Sequence, residues 1–193
     1  MYTIKVSERD FTMKPKRLRR NGIVPGSVFG GHLKDSIALQ MSEIELKKLL
    51  VEHHIGSRLN LELNGKQIPV QLKEKELDPV SNAVLHVSFQ ALRADQKVNS
   101  VIHVVLENTD KVTALLEHML TEIPYDAFPK DMIDTINIDV DGMGIGTVVT
   151  VADIKELQNP DIEVKANPDE IVFRIFDKPS VEEEAEEVAA EEE

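Results

Sequence analysis

The sequence predicts a mainly β protein of the α+β kind, with two β-rich domains and a few short helices. Three observations carry that prediction. Apolar residues alternate with polar ones at period two along much of both halves, turn signals such as Asn64-Gly65 and Asp78-Pro79 break the runs at short spacing, and only one stretch has a full helical signature. No parallel strand–helix–strand rhythm and no internal repeat is visible. At 193 residues the chain is long enough to bury two small cores.

Taken in order, Tyr2, Ile4 and Val6 alternate with Thr3 and Lys5, the pattern of a strand with one buried face. The segment 14–20 then sets Lys14, Lys16, Arg17, Arg19 and Arg20, five cations in seven residues with no acid among them. It reads as a flexible basic loop leading into short extended pieces at 23–29 and 37–40. A helix follows over 42–53, with Ser42 and Glu45 spaced as a capping box and Leu46, Leu49 and Leu50 as its apolar stripe. Asn64-Gly65 predicts a hairpin closed by a type I′ turn, which sets Leu63 opposite Lys66, Leu61 opposite Ile68 and Leu59 opposite Val70. After the Asp78-Pro79 turn, a strand should bury Leu85, Val87 and Phe89 and turn His86, Ser88 and Gln90 outward. These pieces make a first domain over residues 1–93.

A second β-rich domain is expected over 94–177. Residues 101–106 are nearly continuously apolar, as in a strand covered on both faces. The stretch 111–123 fits either helix or strand: Val112, Leu115, Leu116 and Met119 have helical spacing, while the β-branched ends and Pro124 favour extension. Ile136, Ile138 and Val140 alternate cleanly, Gly142, Gly144 and Gly146 mark a loop, and strands are expected at 147–151, 162–165 and 171–176. The last segment, 178–193, holds eight glutamates and too little apolar surface to offset the entropy of ordering, so it reads as a disordered acidic tail.

Charge is distributed unequally. The formal net charge is −13, yet residues 1–95 hold 15 Lys and Arg against 11 acids, and residues 96–193 hold 7 against 24. A concentrated basic run on an acidic chain points to an anionic partner, with the acidic second domain turned elsewhere. The absence of cysteine excludes disulfide, thiolate and zinc–thiolate chemistry and fits a reducing cytosol. No apolar run is long enough to span a bilayer and the N-terminus has no signal-peptide core. Aromatic residues make up 4% of the chain, with no tryptophan, which argues against stacking on single-stranded bases and for recognition of a folded duplex by backbone and groove shape.

Catalytic constellations are absent from the sequence. The glycines at 142, 144 and 146 lack both the GxGxxG spacing and a strand–helix context. His53 and His54 are adjacent and therefore point apart on a helix, where an exposed helix end accounts for them better than a metal. Asp139 and Asp141 lack the remaining spacing of a calcium loop and read as solvated loop acids. No Gly-x-Ser-x-Gly elbow occurs. The reading is of a non-enzyme, with no cofactor, no metal, no small-molecule substrate and no membrane association.

The motif Arg17-Leu18-Arg19-Arg20, Gly22, Val24-Pro25-Gly26, Val28-Phe29-Gly30 is followed by Asp78-Pro79-Val80 and by Leu85-His86-Val87-Ser88-Phe89. Together they resemble the bacterial large-subunit ribosomal protein twenty-five family, which includes the general stress protein Ctc and binds 5S rRNA. The likeness continues through Phe128-Pro129-Lys130-Asp131, Ile138-Asp139-Val140 and Ile145-Gly146, similar to the second domain of the longer members, and so covers most of residues 1–177.

The resemblance implies a β-barrel-like N-terminal domain that holds 5S rRNA by its minor groove, within the large ribosomal subunit in the cytoplasm. It implies contacts from Arg9, Arg20, His86 and the residues at 29 and 88. The family usually has tyrosine where this chain has Phe29, and aspartate where it has Ser88. With the basic run and the outward strand face, the expected RNA-binding set is Arg9, Lys14, Lys16, Arg17, Arg19, Arg20, Phe29, His86, Ser88 and Gln90. The acidic domain is expected to face away from RNA or toward basic neighbouring ribosomal proteins. An alternative reading is a stress-related paralogue that keeps the fold, binds rRNA weakly and acts as an interaction module.

Overall fold

The computed structural model describes residues 2–112 and 114–177. The tail read from the sequence at 178–193 lies outside the described residues. The protein is mostly β, as the sequence predicts, with two α-helices among the described residues.

The first half is a closed six-stranded barrel. β1 (Thr3–Glu8), β2 (Ile23–Phe29), β3 (Ile37–Ser42), β4 (Arg58–Leu63), β5 (Lys66–Leu77) and β6 (Val84–Ala91) follow the order β1-β3-β2-β6-β5-β4. Two parallel pairs complete the ring: β1 lies on β4, with Ile4 opposite Leu61, and β2 lies on β6, with Gly26 opposite Val87. The β4–β5 hairpin has the register its Asn-Gly turn predicts, Leu59 opposite Val70 and Leu61 opposite Ile68. Asn64 at φ 51° and Gly65 at φ 76° supply the two positive angles such a turn needs. Inside the barrel, Ile4, Val28, Leu39, Leu59, Leu61, Val70, Leu72, Val87 and Phe89 form one core.

α2 (Glu43–Glu52) packs on that core through Leu46 and Leu49, with Leu50 half-buried beside them. The capping box expected of Ser42 and Glu45 does not form, because Ser42 is the last residue of β3, paired with Ile23, and makes no side-chain cap. The Glu43 N–H is instead satisfied by the Gly22 carbonyl at 2.9 Å. A second correction concerns the basic segment, which is a helix rather than a flexible loop: α1 (Pro15–Arg20). Pro15 opens it with a preset φ, Arg17, Arg19 and Arg20 suit the negative end of its dipole, and the fully buried Leu18 fastens it to the barrel.

The second half is built from β7 (Val98–Glu107), β8 (Leu115–His118), β9 (Glu122–Ala127), β10 (Thr135–Asp139), β11 (Val148–Thr150), β12 (Ile162–Val164) and β13 (Ile171–Phe176). They form a four-stranded sheet, β10-β7-β9-β12, and a three-stranded sheet, β11-β13-β8. Both line one core around Ile102, Ile123, Tyr125, Val140, Val172 and Phe173. The ambiguous stretch 111–123 is extended at β8 and the start of β9. β7 is not covered on both faces: Ile102 and Val104 are buried, whereas Val101 and His103 are half-buried and Val105 is exposed.

The two halves meet at a polar seam. Gln71 Nε2 donates to Ser100 Oγ at 2.8 Å, and Ser100 Oγ donates to the Gly56 carbonyl at 3.2 Å. His103 Nε2 lies 2.8 Å from the Ile55 carbonyl and therefore acts as the donor, and the Arg58 guanidinium reaches the Pro129 carbonyl. Ser57, Gln71 and Ser100 are the buried polar side chains among the described residues, and all three lie at this seam. The sequence reading of His53 and His54 as an exposed helix end is only partly right. Tyr2 meets the His53 ring edge-on at 5.6 Å, and the His54 ring lies 4.8 Å from that of His103.

Candidate nucleic-acid interface

The outward row of β6 is the centre of the candidate site. Val87, Phe89 and Ala91 are buried, and His86, Ser88 and Gln90 stand half-buried on the opposite face. Leu85, expected to be buried, is only half-buried, and Val84 is buried instead, where the ladder with β5 is irregular. The parallel register with β2 puts Ser27 beside Ser88 and Phe29 beside Gln90, so two strands share one polar face. The Ser27 and Ser88 hydroxyls are 3.5 Å apart. Phe29, the last residue of β2, is 36% exposed and keeps an apolar ring at the edge of this face.

α1 borders the same face. Arg19 Nη1 donates to the Leu85 carbonyl at 3.2 Å, which ties the helix to β6 one residue before His86. Arg19 is half-buried and partly committed to the fold. Lys14, Lys16, Arg17 and Arg20 are exposed and form no salt bridge with the described residues. The turn at Asp78 stands close by. Its carboxylate accepts the Ser81 N–H at 2.8 Å, the Ser81 hydroxyl at 2.9 Å and the Val80 N–H at 3.1 Å, and these bonds hold it below the ordinary aspartate value.

Arg9 enters from the other side of β2. Its N–H donates to the Ala38 carbonyl at 2.9 Å, and its Nε is buried with no hydrogen-bond partner among the described residues. All ten predicted residues therefore belong to the barrel, on or beside β2, β6 and α1. Sequence reasoning missed the opposite border: Glu74 pairs with Ser88 and Glu76 with His86 on β5, so carboxylates flank the polar row there. Their positions depend on a bulge between Leu72 and Glu74, which no local pattern announces. It also missed Ser27, which faces outward although Pro25 and Gly26 on the same strand are buried.

Such an arrangement suits a nucleic-acid backbone. Unpaired cations on α1 can neutralise phosphates, and alternating Ser, His and Gln side chains can donate to or accept from groove edges. Among the described residues no helix is long and apolar enough to cross a membrane.

Known proteins bear on both halves. Residues 4–89 match the Ribosomal L25p family, and residues 97–178 match the C-terminal domain of ribosomal protein TL5. The large ribosomal subunit protein bL25 of Bacillus licheniformis is 29% identical over 98% of this chain and 92% of its own length. That of Dictyoglomus turgidum is 31% identical over 90% of this chain and 88% of its own. That of Methylobacillus flagellatus is 33% identical over 79% and 78%. Likeness of this extent, carried through the barrel that bears the polar face and through the acidic domain beyond it, means that the chain belongs to the bL25 family of large ribosomal subunit proteins, in the long form with a TL5-type C-terminal domain.

Proposed function

We propose that this chain is a structural component of the large ribosomal subunit that binds 5S rRNA through α1 and the outward face of β2 and β6. Residues 1–93 are the RNA-binding unit, and the acidic domain over 94–177 faces away from RNA or toward basic neighbouring proteins. The observation that carries the reading is the placement of four exposed, unpaired cations beside an outward row of His86, Ser88 and Gln90. Lys14, Lys16, Arg17 and Arg20 contact phosphates, Arg9 does so from the far side of β2, and His86 and Gln90 read groove edges. The role is architectural, with no bond made or broken, and the protein is ribosome-associated in the cytoplasm.

Binding of a 5S rRNA fragment is expected to weaken steeply with salt, and Arg20→Ala should lower the log–log salt slope by about one unit. An unchanged slope and affinity would remove Arg20 from the interface. Sedimentation of a lysate at low salt, with the protein travelling with the large subunit, tests the assembly itself.

A second reading, a stress-related module with weak rRNA affinity, draws on Phe29 and Ser88. Ser88 brings a neutral hydroxyl near the Ser27 hydroxyl, and Phe29 has no hydroxyl to offer RNA. Each missing hydrogen bond is worth about 1 kcal/mol, and two together correspond to an order of magnitude or more in affinity. The double variant Phe29→Tyr, Ser88→Asp should turn weak binding into tight binding under this reading and change little under the first.

A further inference from the structure

Phe11 is the aromatic side chain that the interface does not yet account for. It is 77% exposed, at the tip of the loop between β1 and α1. The loop is pinned on both sides of it. Asp10 Oδ1 accepts the Thr12 N–H at 2.8 Å and the Thr12 hydroxyl at 2.6 Å, and the Asp10 N–H donates to Gln40 Oε1 at 3.2 Å. A large apolar ring is thus held out in water by a pinned turn, with Arg9 beside it.

Its surroundings say which partner fits it. The Arg9 guanidinium lies over the ring, 5.4 Å from its centroid. Glu8, Arg9, Phe11, Ser27, Ser36, Ile37 and Ala38 line one open groove of about 640 Å³, in which Arg9 is the cation and Glu8 the carboxylate. Ser27 is shared between this groove and the polar face, through its contact with Ser88. Arginine on one side of the ring favours an anionic, planar ligand on the other, and a nucleotide combines a flat π-face with a phosphate. A peptide partner would need charge complementarity to Arg9 and α1 and would leave the flat face of the ring without a matched surface.

We propose that Phe11 is a stacking platform for one unpaired nucleobase of the bound RNA, with Arg9 behind the ring directed at the adjacent phosphate. The proposal rests on the RNA-binding reading above. The groove then holds a base displaced from the helix, while α1 and β6 hold the paired region beside it. The low aromatic content of the chain does not oppose this, because one well-placed ring is enough for one base.

The test uses the full chain and a 5S rRNA fragment containing an internal loop, with a fully paired duplex as control. The protein has no tryptophan, so Phe11→Trp introduces a single fluorescent reporter. Its emission should be quenched by the looped fragment and not by the duplex. Phe11→Ala should weaken binding roughly ten-fold with the salt slope unchanged, since a neutral stacking contact releases no counterion. Phe11→Tyr should restore it. Tight binding by the natural chain with no loss in Phe11→Ala and no quenching would overturn the stacking role and leave RNA binding standing. Failure of the natural chain to bind either RNA would overturn both. Emission of Phe11→Trp that shifts with protein concentration, in the absence of RNA, would assign the ring to self-association instead.

Discussion

His54 shows how a single residue takes its chemistry from its neighbours. Burial of the ring, then the charges of His103, Lys75 and His53, lower its pKa below the ordinary histidine value of 6.5, against a smaller opposing pull from Glu122. A histidine whose folded-state pKa lies below its unfolded value carries no penalty above that unfolded value and a growing one as pH falls beneath it. Stability should therefore decline as the pH drops below about 6.5, and His54→Gln should flatten that part of the profile. Thermal midpoints of the two proteins across the acid range provide the measurement. The sequence announced two adjacent histidines and nothing of this. The His54 ring meets that of His103, 49 positions away, through the seam.

At the scale of elements, α1 depends on a single anchor. A helix of six residues does not persist alone in water, since nucleation costs more than so few hydrogen bonds return. Leu18 is the fully buried residue of α1, which lies against β2 of the barrel. Leu18→Ala is expected to cost about 2–5 kcal/mol in chemical denaturation. It should also weaken RNA binding beyond the loss from any one cation, because Lys16, Arg17 and Arg20 lose their common support. That α1 is helical was not legible from its composition. Its stripe is one leucine wide, and helical periodicity cannot be recognised from a single apolar residue. The β4–β5 hairpin was legible down to its register, because a two-residue turn and period-two alternation are both local.

The whole molecule is held in one arrangement by a seam that is polar rather than greasy. Gly56 stands at its centre with φ +95°, and a Cβ there would meet the Val101 carbonyl oxygen at 2.7 Å and Ser100 Oγ at 2.8 Å. Gly56→Ala adds backbone strain of about 1–3 kcal/mol to that collision. It should separate thermal unfolding into two transitions, one for each core, where the natural chain is expected to unfold with its halves coupled. A single undisturbed transition would show that the seam transmits little. If the seam orients the acidic domain away from the RNA face, the same variant should leave the affinity of the isolated RNA fragment unchanged.

Read alone, the sequence determined the β-rich class, the hairpin register, the helix with its leucine stripe and the alternation that turns His86, Ser88 and Gln90 outward. Each follows from neighbours within a few residues of one another, where side-chain period and turn chemistry decide. Tertiary structure alone decided that the strands close into a barrel through two parallel pairs, and that Ser27 meets Ser88 across 61 positions of chain. It also decided that Gln71, Ser100 and Gly56 form the join between the halves, and that Phe11 shares a groove with Arg9. Those outcomes depend on which distant surfaces can be buried against one another, a condition on the whole chain that no local pattern carries.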